Sequence, residues 1–140
     1  MTNSALQPEI TITTIDYDRL SNLAESASKD APDVAAFLLE ELGRANIAPR
    51  PSEEPMVRMG SYVYFRDEEK ETVQRIRLVY PDQSDSRLGH ISILTPVGAA
   101  LIGLSPGQSI KWRDRRGTLK NLTVLAVQDV PDVPAIATTG

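Results

Sequence analysis

The chain has no cysteine and a single histidine, His90, and aromatic residues make up only 5% of it. The first absence excludes a disulfide scaffold, a thiolate-ligated zinc or iron–sulfur site and a thiol nucleophile. The second excludes a histidine-rich metal site, and a Ser-His-Asp triad would rest on His90 alone. No apolar run approaches the ~18 residues needed to span a bilayer. No basic segment followed by an apolar one opens the chain, so no secretory signal is read and a cytoplasmic protein is expected. No G-x-x-x-x-G-K-[ST] or strand-linked G-x-G-x-x-G run is present, so no phosphate-cradling loop is expected. What is there is ordinary globular material, 140 residues with 41% apolar side chains. That is enough to bury a core without covalent staples.

The net charge of −4 is unevenly spread. Residues 1–56 hold four basic and ten acidic side chains, a net of −6, and residues 57–140 hold eleven and nine, a net of +2. The change of sign coincides with APRPSEEP at 48–55, whose three prolines and two glutamates are linker chemistry. The division expected is a helical part at 1–47, a linker at 48–55, a sheet-rich part at 56–130 and a frayed tail at 131–140. An acidic chain of this kind is not expected to bind duplex DNA sequence-specifically.

Residues 10–15 (ITITTI) alternate, as a short strand or an extended lead-in would. Tyr17, Leu20, Leu23, Ala24 and Ala27 then recur at helical spacing, capped by Thr14 or by Asp16. SASKDAPD reads as a turn, and Pro32 opens a second helix whose stripe is Val34, Phe37, Leu38, Leu42 and Ala45. Together they predict an antiparallel helical hairpin. Beyond residue 56 the period drops to two, predicting strands at 57–66, 71–80, 90–94, 109–113 and 118–128, with a short helix opened by Thr95-Pro96 and closed by Gly103. The class is α+β, an antiparallel sheet plus one short helix behind the helical hairpin.

Three clusters are candidate sites. Asp30 and Asp33 sit at the hairpin turn, where aspartate is favoured locally and where two carboxylates could also meet a hard cation. Lys111-Trp112-Arg113-Asp114-Arg115-Arg116 interleaves an aromatic with Lys111, Arg113, Arg115 and Arg116, suited to phosphate or an acidic surface. His90 reads as a polar residue at a strand end rather than a catalytic group. The third cluster is Thr95-Pro96-Val97-Gly98-Ala99-Ala100-Leu101-Ile102-Gly103. Gly98 is unfavourable inside a helix, so a close approach is expected there, either by a neighbouring strand or by a partner surface.

With Gly107-Gln108-Ser109-Ile110 behind it, this run resembles the signature of the C-terminal domain of bacterial Gre transcript-cleavage factors. Gly60-Ser61-Tyr62-Val63 resembles that family's opening motif and Arg77-Leu78-Val79-Tyr80 its second strand. The short helical pair, the linker, Leu-Val-Tyr-Pro at 78–81 and Pro-Val-Gly-Ala-Ala-Leu-Ile-Gly-Leu at 96–104 are similar to the regulator of nucleoside diphosphate kinase (Rnk) family. The resemblance implies an FKBP-like C-terminal fold and no enzymatic activity, cofactor, metal or small-molecule ligand. It implies docking on core RNA polymerase near its secondary channel, competition with Gre factors, and an effect on nucleoside diphosphate kinase levels. Ile93, Thr95, Pro96, Val97, Gly98 and Ala99 are then the expected polymerase-binding segment. At 1.5 Å per residue, helices of about 12–15 residues reach only ~20 Å, and Lys29 and Pro32 interrupt the acidic turn, so no transcript cleavage is expected. A prolyl isomerase on the same scaffold and an adaptor touching a kinase directly are the alternatives.

Overall fold

A computed structural model describes residues 7–50 and 53–128, so the expected tail at 131–140 lies outside the described residues. Strand β1 (Thr11–Thr13) leads directly into helix α1 (Thr14–Ala27). The strand reading of 10–15 therefore holds, over three residues. The cap of α1 is neither Thr14 nor Asp16. Thr13 Oγ1 accepts from the Asp16 N–H at 3.3 Å, which frees the Asp16 carboxylate to accept from the Met59 N–H at 3.2 Å. The Thr14 hydroxyl donates instead to the Ala48 carbonyl.

Helix α2 (Pro32–Arg44) follows after residues 28–31, with Pro32 at its first turn as expected, and packs against α1. Its buried stripe includes a residue the apolar pattern passes over. Glu41 is 2% exposed and takes a two-pronged ion pair from Arg44, which also donates to the Pro8 carbonyl. After α2 the chain forms β2 (Asn46–Ala48), parallel to β1, so the first residue of the expected linker belongs to a strand.

The sheet comprises β3 (Tyr62–Asp67), β4 (Thr72–Val79), β5 (His90–Ser92), β6 (Ser109–Arg113) and β7 (Leu119–Gln128), in the order β5-β4-β3-β7-β6. Two expectations need correction. The sheet is mixed, because β5 runs parallel to β4 with Arg77 opposite His90. Two 3-10 turns at Pro81–Gln83 and Ser86–Leu88 bring the chain back to start β5 alongside β4. The strand expected at 57–66 begins only at Tyr62. Residues 58–61 turn sharply, with Ser61 hydrogen-bonded back to Arg58 and Gly60 at a φ of +91°. Val57 pairs elsewhere, donating to Leu104 and accepting from Gly103.

Alternation along the strands sends Val63, Phe65, Ile76, Leu78, Ile110, Leu122 and Val124 inward. They meet Leu20 and Ala24 of α1, Leu38 and Leu42 of α2, and helix α3 (Pro96–Leu101) in one continuous core that includes Ile10 and Ile12. Each such aliphatic side chain contributes about 1.5–3 kcal/mol on full burial. At the end of β3, Asp67 is 5% exposed. Burial opposes its charge, but the Lys70 and Glu69 N–H groups and the Lys120 ammonium outweigh that and hold its carboxyl below the usual range.

Candidate functional site

The start of α3 is built by one hydroxyl. Thr95 Oγ1 accepts from the Gly98 N–H at 3.1 Å and donates to the Ser92 carbonyl at 2.7 Å, stapling the helix start to the end of β5. This tight return leaves no room at Gly98. A Cβ there would stand 2.3 Å from the Ser92 oxygen, 2.9 Å from Thr95 Oγ1 and 3.1 Å from Ile93 Cα. The close approach expected at Gly98 is made by the chain itself. Of the motif residues singled out by sequence, Ile93, Gly98 and Ala99 are buried, and Thr95, Pro96 and Val97 are partly exposed.

The second cluster lies at the tip of β6 and β7. Asp114 Oδ1 accepts from the N–H groups of Arg116 and Thr118, and Gly117 completes the turn at a φ of +82°. Register places Trp112 opposite Lys120, whose ammonium lies 5.6 Å from the indole centroid. Among the described residues, the buried Trp112 indole N–H has no hydrogen-bond partner. Lys111, Arg113, Arg115 and Arg116 are all exposed. His90 opens β5 in a backbone bridge with Asp85, consistent with a strand-end role.

Helix packing brings the acidic cluster of Asp30 and Asp33 to the other two. Asp30, Asp33, Val34, Phe37 and Glu40 form one wall of a cleft of about 880 Å³. Lys111, Trp112, Arg113, Arg115 and Leu119 form the opposite wall, with Pro96 between them. A smaller hollow of about 290 Å³, lined by Ile91, Thr95, Pro96, Val97, Trp112 and Arg115, continues it along α3. Carboxylates therefore face cations across an apolar floor, and among the described residues no ion pair bridges them. Ile93, Gly98, Ala99 and Arg116 line neither hollow. The chemistry suits an amphipathic protein surface carrying both signs of charge. Among the described residues, no group of three or more His, Cys, Asp or Glu is placed to hold a metal ion. No described helix is long and apolar enough to cross a membrane.

Sequence reasoning assigned Val34 and Phe37 to the core stripe, and both also line the cleft. Glu40 and Gln7 were not singled out. Gln7 pairs through its amide with both backbone groups of Lys111, covering the free edge of β6, and no sequence signal marks it.

On the far side of α1 the helical part meets the sheet through a different chemistry. The Asp16 carboxyl is held above its ordinary value by burial, against the lowering effects of the Met59 N–H, Arg58 and Arg19. The Tyr80 phenol is raised as well, by burial and then by the Asp16 charge.

Two family models match the chain. "Rnk N-terminus" covers residues 8–47, and "Transcription elongation factor, GreA/GreB, C-term" covers residues 52–129. The regulator of nucleoside diphosphate kinase of Escherichia coli (strain K12) is 34% identical over 127 residues, 90% of this chain and 93% of that protein. The transcription elongation factor GreA of Syntrophobacter fumaroxidans is 32% identical over 93 residues, 66% of this chain and 59% of that one. Among solved structures, a prokaryotic transcription elongation factor GreA/GreB from Nitrosomonas europaea superposes with a TM-score of 0.66 at 37% identity, covering 87% of this chain and 99% of that one.

Proposed function

The chain belongs to the family that joins an Rnk N-terminus to a GreA/GreB C-terminal domain, and from that premise we propose that it is a non-enzymatic regulator that docks on core RNA polymerase near the secondary channel. Family membership makes it a transcription-elongation-factor-like regulator. The finer reading has the FKBP-like part, residues 56–130, carry most of the affinity. Thr95, Pro96 and Val97 supply the contact, and Ile93, Gly98 and Ala99 hold it from beneath. Docking displaces Gre factors, and the effect on nucleoside diphosphate kinase levels follows from altered transcription.

The observation that carries the reading is the convergence of three sequence-distant clusters on one cleft. An acidic wall that includes Phe37, a basic wall that includes Trp112 and an apolar floor of Pro96 and Val97 are what a large protein partner of mixed charge requires. The same arrangement supports the absence of cleavage activity. Asp30 and Asp33, at the turn of the helical hairpin, line the cleft with Lys111 and Arg113 opposite. At 1.5 Å per residue, helices of 14 and 13 residues span only about 20 Å.

Capture of core polymerase by the full chain tests the reading, with and without a competing Gre factor. Val97→Asp places a charge on the apolar floor and is expected to weaken capture about tenfold or more at a temperature where the variant is still folded, in the range of an interface hot spot. Undiminished capture by Val97→Asp removes α3 from the interface. Stalled elongation complexes are expected to show no stimulated RNA cleavage, and cleavage lost in Asp30→Ala would defeat that part.

A further inference from the structure

The outer face of the sheet carries an arrangement that polymerase docking through the cleft does not use. Alternation along β3 sends Tyr62, Tyr64 and Arg66 outward, and register sets Arg77 beside Tyr62 and Arg75 beside Tyr64 on β4. The Arg75 guanidinium lies 4.2 Å from the Tyr62 ring centroid and 5.8 Å from that of Tyr64, and the Arg77 guanidinium lies 5.3 Å from Tyr62. Arg77 is further fixed by donating from Nε to the Gly60 carbonyl at 3.0 Å. Two rings and two planar cations are thus held together on one patch of the adjacent inner strands β3 and β4.

Arg66, one step along the same row, is neutralised by Glu68 and Glu71. Arg75 is exposed and has no carboxylate partner among the described residues. On the other side of Tyr64, register sets Ala126 of β7 beside the ring, and the exposed Leu125 stands at the adjoining bulge. A chain of net charge −4 has therefore gathered cations and flat π-surfaces on a single sheet face.

We propose that this face binds single-stranded nucleic acid. Bases stack on the Tyr64 ring and on the Arg75 plane that Tyr62 holds in place, while the Arg75 and Arg77 guanidiniums take phosphates. An acidic polypeptide would satisfy the cations but has nothing to lay on the rings. The spacing also favours the nucleic acid. Residues two apart on a strand are about 6.6–6.8 Å apart, a rise that matches an extended single strand laid along β3.

The test is fluorescence anisotropy of a labelled oligouridine of about 12 nucleotides titrated with the full chain at low salt, with labelled polyglutamate in parallel. The expected result is saturable oligouridine binding that weakens with added salt, and weaker polyglutamate binding. Tyr64→Ala and Arg75→Ala are each expected to weaken oligouridine binding about tenfold with unchanged melting temperature. Tyr64→Phe keeps the ring and is expected to retain wild-type binding. The cleft variant Val97→Asp is expected to leave it unchanged, which separates this site from polymerase docking. Absence of oligouridine binding, Tyr64→Ala binding like wild type, or polyglutamate bound as tightly as the oligonucleotide each overturns the proposal, the last in favour of an acidic protein partner.

Discussion

The helical part and the sheet meet at two places, and the two meetings differ in kind. At the junction beside β1, Thr11 donates to the Gly103 carbonyl, Gly103 donates to Val57 and Val57 donates to Leu104, all through backbone. Ile10 and Ile12 are buried there, and Gln108 ties the Glu9 carbonyl to the same segment. At the cleft, the same two parts face each other with opposite charges that form no ion pair among the described residues. Exposed charges of this kind are worth roughly 0–1 kcal/mol even when paired. The junction therefore fixes how the parts sit, and the cleft is left open by that placement. Variants at the junction should cost stability, and variants at the cleft should cost only binding.

The largest effect is expected from Arg44→Met. It strips the cation from Glu41, whose carboxylate is buried, and releases the Pro8 carbonyl that anchors the chain entering β1. Leaving a buried charge unpaired costs about 3–5 kcal/mol. Denaturant melts check this, and the double variant Glu41→Gln with Arg44→Met should recover part of the loss. An unchanged melt for the single variant would show that the junction does not depend on this pair.

Next comes Gly98→Ala, on the cleft side but inside the frame that builds it. In an open helix the change would stabilise by about 1 kcal/mol. Here the new methyl meets the Ser92 carbonyl at 2.3 Å, a backbone atom that cannot swing away. Overpacking of this sort costs about 1–3 kcal/mol. A net loss of stability is expected, and a gain in melting temperature would mean that the return from β5 into α3 relaxes freely.

A smaller effect, with a defined pH sign, is expected at Asp16. Burial holds its folded pKa above 3.8, so the folded chain binds this proton more tightly than the unfolded chain. The stability it contributes is full below the unfolded value and is lost as pH rises through the folded one. Asp16→Asn keeps an acceptor for the Met59 N–H and removes the charge. Its stability should fall less than that of the wild type between pH 3 and pH 7, as followed by thermal melts. An identical pH profile would show that Met59, Arg58 and Arg19 fully compensate the buried charge.

The sequence carried the elements because each had a local cause. Pro32 and the Thr95-Pro96 pair open helices through local geometry, and the β6–β7 turn is legible from Asp114 and Gly117, whose side-chain acceptor and positive φ act within five residues. What was illegible depends on distant partners. Nothing near Val57 announces that it pairs with Gly103 and Leu104 rather than extending β3. Thr13 takes the cap and leaves the Asp16 carboxylate to Met59, 43 residues away in sequence. The parallel return of β5 follows from two 3-10 turns that read only as a polar loop. The same holds for the site. Each of its three clusters was visible alone, but their meeting around Pro96 is a product of helix packing.

The smallest effect on stability is expected where the cleft charges are removed. Asp30 and Asp33 are exposed, form no ion pair among the described residues and line the cleft with Lys111, Arg113 and Arg115 opposite. Asp33 lies in the first turn of α2, where a negative charge favours the helix by about 0.3–1 kcal/mol, and Asp30 precedes the helix. Asp30→Asn with Asp33→Asn should therefore lower stability by no more than about 1 kcal/mol. The loss of two negative charges should nonetheless change polymerase capture, and its salt dependence should flatten because fewer charges meet the partner. Melting and capture measured on the same preparation distinguish the two roles. A large fall in melting temperature would mean that the acidic wall helps to position α2 against the sheet, and the contrast between junction and cleft would fail. Unchanged melting with unchanged capture at every salt concentration would leave the contrast standing and move the contact to the apolar floor formed by Pro96, Val97 and Trp112.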